Sequence, residues 1–277
     1  MTNIPKIIWL YWEQGWDKAP ETVSACKKSW QYYNPDWEVR CLDAKTIKKY
    51  FNIEQWLPGD PIKTTGDKLI SWFRDSLEKI LHKSVRVFVN KQKRMKLPHK
   101  SDIIRINLIS RYGGVWADAT LWCNKPLNQW ISPHIKQGFF ALSQPWEGML
   151  CSNFFLISLP NSYIANSWKK SIYDYWESHN KPHTYMLCYE LFNSLYDNDK
   201  EFAKLWDKVV KINDPVTTED GPHYFAPYTD KQLSKFDKEY RDYIDNNNSP
   251  MFKLTNTAQK PLHKYQSIQY LFNTIDK

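Results

Sequence analysis

A chain of 277 residues is long enough to bury a real core as one α/β domain, and its net charge of +8 asks for an anionic partner. No stretch reaches the length of a membrane span, and the opening MTNIPKIIWLYW lacks the basic region, long apolar core and cleavage site of a signal peptide, so a cytoplasmic protein is expected. The five cysteines, Cys26, Cys41, Cys123, Cys151 and Cys188, are odd in number and widely spaced, which excludes a disulfide framework or zinc ribbon and predicts reduced thiols.

Residues 4–12 are an apolar, β-branched and aromatic run, short enough for a buried first strand, and Glu13-Gln14-Gly15 breaks it with Trp12 at its carboxyl end. Pro20 then opens a helix whose Val23, Cys26 and Trp30 face one way, and residues 37–42 read as a second strand closed by Asp43. This β-α-β beginning suits a nucleotide-binding half-domain, although neither G-x-G-x-x-G nor a P-loop occurs.

Residues 67–100 read as a basic amphipathic helical insertion in an otherwise single domain. Ile70, Phe73, Leu77, Ile80 and Leu81 form a helical stripe, and residues 79–100 carry eight Lys or Arg and no acidic residue. Such a segment can lie on an anionic membrane surface, each basic residue contributing on the order of 1 kcal/mol. The bland alternative is a solvated helix that packs its stripe on the domain. Nucleic acid is not expected as a partner, because no recognition motif accompanies the charge.

Residues 101–127, SDIIRINLISRYGGVWADATLWCNKPL, combine a helix, a glycine stop, a strand and a lone carboxylate. Ser101 is the predicted N-cap, with Asp102 in the first turn where the helix dipole favours an anion. Ile104, Leu108 and Tyr112 share an inward face, Gly113-Gly114 ends the helix, and Asp118 stands near the end of a strand begun by Val115 and Trp116. Asp102 and Arg105, three apart, can grip neighbouring sugar hydroxyls together, and Asp118 can meet a metal or a ribose. By spacing alone, an i,i+3 surface ion pair plus a strand-end carboxylate fits as well.

Beyond Pro126, residues 138–142 and 149–157 are short apolar strand candidates; Asn153, inside the second, needs partners, either a bound hydroxyl or the core backbone. Residues 161–207 look helical, and Trp168, Tyr173, Tyr175, Trp176 and Trp206 are candidates to wall an acceptor cleft. A turn cluster follows around Glu219, Asp220 and His223. The basic tail offers Lys253 and Lys260 to face phosphates, with Asn256 or His263 as further phosphate or metal ligands.

S-D-x-x-R followed by Gly-Gly, an aromatic and Asp resembles the DxD-type sugar transferases of glycosyltransferase family 32, and within them the bacterial capsular polysaccharide synthesis proteins. The resemblance implies a GT-A-like, Rossmann-type α/β fold and transfer of a hexose from a nucleotide-sugar, UDP-hexose being the expected donor. The acceptor is a growing capsular or exopolysaccharide chain or a lipid-linked oligosaccharide, with retention of anomeric configuration. It places Trp12 on the uracil, Asp102, Arg105 and Asn153 on the donor sugar, and Asp118 on the ribose and metal. Where the family has a second aspartate this chain reads Asp118-Ala119-Thr120, and Asn256 stands where relatives often carry a histidine. Mn²⁺ or Mg²⁺ is therefore expected only together with the nucleotide, whose phosphates complete its shell. Two rival readings are a sugar-nucleotide- or membrane-binding pseudoenzyme and a glycoside hydrolase using Asp102 and Asp118 as flanking carboxylates.

Overall fold

The computed structural model describes residues 4–51, 95–179, 181–213, 241, 244–246, 249–254 and 266–275. Most of the basic insertion, residues 67–94, lies outside them, as do Glu219, Asp220, His223, Asn256, Lys260 and His263.

The chain opens with β1 (Ile7–Tyr11), α1 (Glu21–Tyr33) and β2 (Glu38–Leu42), with β1 and β2 parallel and Ile7 opposite Glu38. The sequence IIWLY is almost wholly buried, as expected of a parallel strand covered on both faces. Pro20 precedes α1 at its N-cap, and Val23, Cys26 and Trp30 are each buried at the 3–4 spacing of one face. Asp43 closes β2 by accepting hydrogen bonds from the N–H groups of Lys45 and Thr46 on one carboxylate oxygen.

Four further elements complete the central layer: α2 (Leu97–Tyr112), β3 (Gly114–Ala117), β5 (Phe139–Ser143) and β6 (Cys151–Ser158). The sheet order is β2-β1-β3-β6-β5; β3 runs parallel to β1, whereas β6 is antiparallel to both β3 and β5. This is the mixed α/β architecture the sequence implied. A separate two-stranded ribbon pairs β4 (Leu121–Cys123) with β7 (Met251–Lys253). It rests on a smaller core in which Trp122 and Phe252 meet Cys26 of α1 and Phe272 of α6 (Gln266–Asn273). Helices α3 (Tyr163–Ser178), α4 (Leu187–Asn198) and α5 (Lys200–Asp207) lie between β6 and the tail ribbon in sequence. The Ser162 hydroxyl caps α3 and the Asp199 carboxylate caps α5.

Two expectations are corrected. Helix α2 begins at Leu97, four residues before Ser101, and Lys96 is its N-cap. Pro98 in the first turn has its φ preset for a helix and has no N–H to leave unsatisfied, so it starts the helix earlier than a serine cap would. Residues 97–100 therefore continue the helix that carries Asp102. The second correction concerns the aromatics of residues 161–207. Trp168, Trp176 and Trp206 are at most 3% exposed, and Trp168 and Trp206 pack edge-on against Phe192, so they form the interior and wall no cleft. Tyr175 is also buried, and Tyr173 donates from its hydroxyl to Asn107 at 2.5 Å. All five cysteines are free thiols.

Candidate active site

The parallel strands β1 and β3 end side by side, and each delivers a polar or aromatic group just past its last residue: Trp12 after β1 and Asp118 after β3. Gly114 makes this pairing possible. Its φ of +88° lies in the left-handed region, and a Cβ there would stand 2.5 Å from the Ile7 carbonyl oxygen. Helix α2 crosses the same edge and contributes Ser101, Asp102 and Arg105 to a cleft of about 630 Å³ that Trp12, Asp118, Asn153 and Lys253 also line. An open α/β sheet binds ligands at this carboxyl edge.

Arg105 organises the floor. One terminal nitrogen donates to Asp102 Oδ1 at 2.7 Å, and the other donates to Asp118 Oδ1 at 3.1 Å and to the Ser101 hydroxyl at 3.2 Å. Its plane lies over the Trp116 ring, 5.5 Å from the centroid. Asp102 Oδ1 also accepts from the Asn153 amide at 2.9 Å, and Asn153 in turn accepts from the Tyr189 hydroxyl at 2.8 Å. Asp118 Oδ1 accepts from the Trp116 indole at 2.9 Å, while its Oδ2 accepts from the Lys253 ammonium at 2.7 Å. Asp102 is 8% exposed and Arg105 5%, so the i,i+3 pair is an interior pair and the surface ion-pair reading falls. Burial on its own would raise the Asp118 carboxyl, but Lys253 and Arg105 override it and hold the pKa below the usual carboxylate value. Burial likewise opposes the Arg105 charge, and the two carboxylates more than offset it.

The register of the small ribbon explains Lys253. Leu121 stands opposite Lys253, and the Leu254 N–H donates to the Thr120 carbonyl at 2.9 Å, so β7 is zipped directly onto the segment that leaves Asp118. The expected phosphate-facing lysine thus lines the cleft with its ammonium paired to Asp118. Trp12 stands at the strand end as expected, and its buried indole N–H has no hydrogen-bond partner among the described residues. Among the described residues, the Asn153 side chain is held by those of Asp102 and Tyr189.

Sequence reasoning missed three groups of the cleft. Trp146, Tyr185 and Tyr189 line it, Trp146 packing edge-on against Tyr189 at 5.5 Å. Tyr185 is 69% exposed at the mouth beside the exposed Leu97. Across the mouth, Lys100 donates to Glu13 at 2.6 Å and ties the Trp12 turn to α2. In sequence, these aromatics look no different from those that became core.

A divalent cation was expected at Asp118 and Asn256 together with the nucleotide, and Asn256 lies outside the described residues. Among the described residues no three His, Cys, Asp or Glu side chains converge as a metal-holding group, and Ala119 and Thr120 bring no second carboxylate. Both Asp118 oxygens already face a cationic side chain. A cation arriving at Asp118 would have to displace one of these partners or stand beside it. Among the described residues, the protein donors do not by themselves fit Mn²⁺ or Mg²⁺.

The family model of the capsular polysaccharide synthesis proteins matches residues 1–61 and 80–272. The "O-glycosyltransferase braB" of Annulohypoxylon truncatum is 20% identical over 252 residues, covering 80% of this chain and 55% of that relative, so the chain spans about half the relative's length. Among solved structures, the PaToxG glycosyltransferase superposes over 98% of this chain and 86% of that one, with 13% identity and a TM-score of 0.43. The ligand-free glycosyltransferase domain from the YGT toxin covers 98% and 94%, with 10% identity and a TM-score of 0.41. The family match takes in Trp12, Ser101, Asp102, Arg105, Trp116, Asp118, Asn153, Tyr189 and Lys253 of the cleft, and the chain belongs to the capsular polysaccharide synthesis protein family.

Proposed function

We propose that the protein is a glycosyltransferase that moves a hexose from a nucleoside-diphosphate donor, UDP-hexose first among them, to a glycan or lipid-linked acceptor. The observation that carries this is the Asp102–Arg105–Asp118–Lys253 network, buried at Asp102 and Arg105 and part-buried at Asp118 and Lys253, at the carboxyl edge of β1 and β3, with Trp12 beside it. A volume of about 630 Å³ is within the size of a cofactor-class pocket. In this reading the Trp12 ring, which lines the cleft, stacks on the base. Asp102 and Asn153 meet donor-sugar hydroxyls, while Asp118 turns toward the ribose.

Retention is the stereochemistry we propose, and the state of the described carboxylates supports it. Among the described residues, the carboxylates lining the cleft are Glu13, Asp102 and Asp118, and each is held by a lysine or arginine. None stands ready as a nucleophile or as a general base for an incoming hydroxyl. The bond from the anomeric carbon to the phosphate oxygen breaks with its electron pair passing to the phosphate. The acceptor oxygen bonds that carbon from the same face, and its proton passes to the departing phosphate oxygen. A glycoside hydrolase would need one carboxyl with a raised pKa, whereas that of Asp118 is lowered.

A panel of UDP-, GDP- and TDP-sugars, scored by thermal shift, tests the reading. One of them, UDP-hexose in our reading, should raise Tm, and Trp12→Ala should weaken nucleotide binding about fivefold or more, since base stacking is worth about 1–3 kcal/mol. Unchanged nucleotide affinity in a folded Trp12→Ala protein removes the stacking role. Cleavage of a glycan without any nucleotide-sugar favours the hydrolase, and binding without turnover over a broad acceptor panel favours the pseudoenzyme.

A further inference from the structure

We propose that Lys253 supplies the positive charge that stabilises the leaving diphosphate, so that donor binding and transfer proceed without a divalent metal. The inference rests on the transferase reading above and deepens it. Three observations converge on it. The ammonium of Lys253 stands 2.7 Å from Asp118 Oδ2, on the carboxylate where the sequence led us to expect a metal. Its side chain is only 15% exposed and lies over the face of Phe154, 5.2 Å from the ring centroid, so the charge is held at the cleft wall and not left to wander in solvent. The ribbon that carries it is zipped onto residue 120 by the Leu254 N–H, which fixes the lysine to the segment that replaces the second aspartate.

The chemistry needs what this arrangement provides. When the anomeric bond breaks, negative charge grows on the phosphate oxygens, and a cation fixed beforehand in a partly dry cleft stabilises that charge without reorganisation. An ammonium has three N–H donors, and Asp118 takes one of them, which leaves donors for phosphate oxygens while the pair stays in place. The Asp118–Lys253 pair and the Asp102–Arg105 pair together carry no net charge, so a diphosphate meets no accumulated negative field. A neutral Thr120 in place of a carboxylate suits a site built for a fixed cation, since a second acid would leave an uncompensated negative charge there.

Calorimetric titration of the full chain with UDP and GDP, with excess chelator and with Mn²⁺, decides the matter. Affinity for the nucleotide that binds should agree within about twofold between the two conditions. Lys253→Met should weaken that diphosphate at least tenfold yet leave binding of the matching nucleoside, which has no phosphate, within twofold, and Lys253→Arg should recover most of the loss. A chelator effect of fivefold or more overturns the inference, as does a folded Lys253→Met protein that holds the diphosphate as tightly as the parent. An equal loss of nucleoside and diphosphate assigns Lys253 a structural role and overturns it too. If Lys253→Met fails to fold, the chelator comparison on the unaltered chain decides alone. Failure of the unaltered chain to bind any nucleoside diphosphate, with or without Mn²⁺, overturns the transferase reading itself, whereas binding that requires Mn²⁺ overturns only the metal-free inference.

Discussion

Arg105 couples two carboxylates that would otherwise repel each other across the floor of the cleft. Its forked guanidinium reaches Asp102 through one terminal nitrogen and Asp118 through the other, a geometry that a lysine at the same position cannot reproduce because its charge is a single point. Removing one partner from a buried charged pair commonly costs about 3–5 kcal/mol. Arg105→Lys keeps the charge and loses the fork, so a smaller loss, on the order of 2 kcal/mol, is expected from the melting curve. Its effect on chemistry should be larger than its effect on nucleotide affinity: transfer should fall about 100-fold while UDP affinity stays within about threefold, because in the proposed reading the fork orients the sugar and not the base. Asp102→Asn, which preserves an acceptor oxygen for the Asn153 amide, should give the same split with milder destabilisation. Equal losses of transfer and of nucleotide binding in both variants would remove these residues from the donor sugar.

At the scale of elements, the tightest joint in the fold is the start of β3. Gly113 closes α2 with φ +67° and Gly114 opens the strand with φ +88°, and a Cβ at Gly114 would collide with the Ile7 carbonyl of the neighbouring strand. Gly114→Ala should therefore both strain the backbone and push β3 from β1, lowering stability by about 2–4 kcal/mol and displacing Asp118 from Trp12. A variant with unchanged Tm and unchanged nucleotide affinity would show that this joint is not what sets the site. These glycines were visible in the sequence, as were β1, α1 and β2, because local periodicity and punctuation determine them. The start of α2 was not, since Ser101 followed by Asp102 mimics a cap while Pro98 has the stronger claim on the first turn. Asp102, Arg105 and Asp118 could be singled out because they fall within one short string. Tyr189 and the Asp118–Lys253 pair could not, because the pairing spans 135 residues of chain and depends on the β4–β7 register. Ring patterns also could not separate Trp146, which lines the cleft, from Trp168, which is core; an apolar stripe is the same signal in both places.

For the whole molecule, the open matter is where the excess of basic charge meets its partner. Eight Lys or Arg without an acidic residue between positions 79 and 100 equal the net charge of the chain, and that run ends inside the first turn of α2, at the mouth of the cleft. Lys100 is committed to Glu13, whereas Lys96 and Leu97 are exposed there beside Tyr185. No helix among the described residues is long and apolar enough to cross a membrane. A basic segment that leads to an exposed leucine and tyrosine at the cleft mouth suits an anionic membrane surface from which a lipid-linked acceptor could enter. Each basic side chain near such a surface is worth about 1 kcal/mol, and the attraction decays over a Debye length of about 10 Å at 0.1 M salt. Co-sedimentation with vesicles containing about a third phosphatidylserine should therefore retain the protein at low salt and release it by about 0.5 M, as screening shortens that length further. Replacing Lys83, Arg86, Lys91 and Lys93 by Gln should abolish retention while leaving the affinity for UDP unchanged, because the cleft network is built from Asp102, Arg105, Asp118, Asn153 and Lys253. Equal binding to neutral vesicles, or retention that persists in high salt, would show that the charge serves some other contact and that the acceptor reaches the cleft from solution.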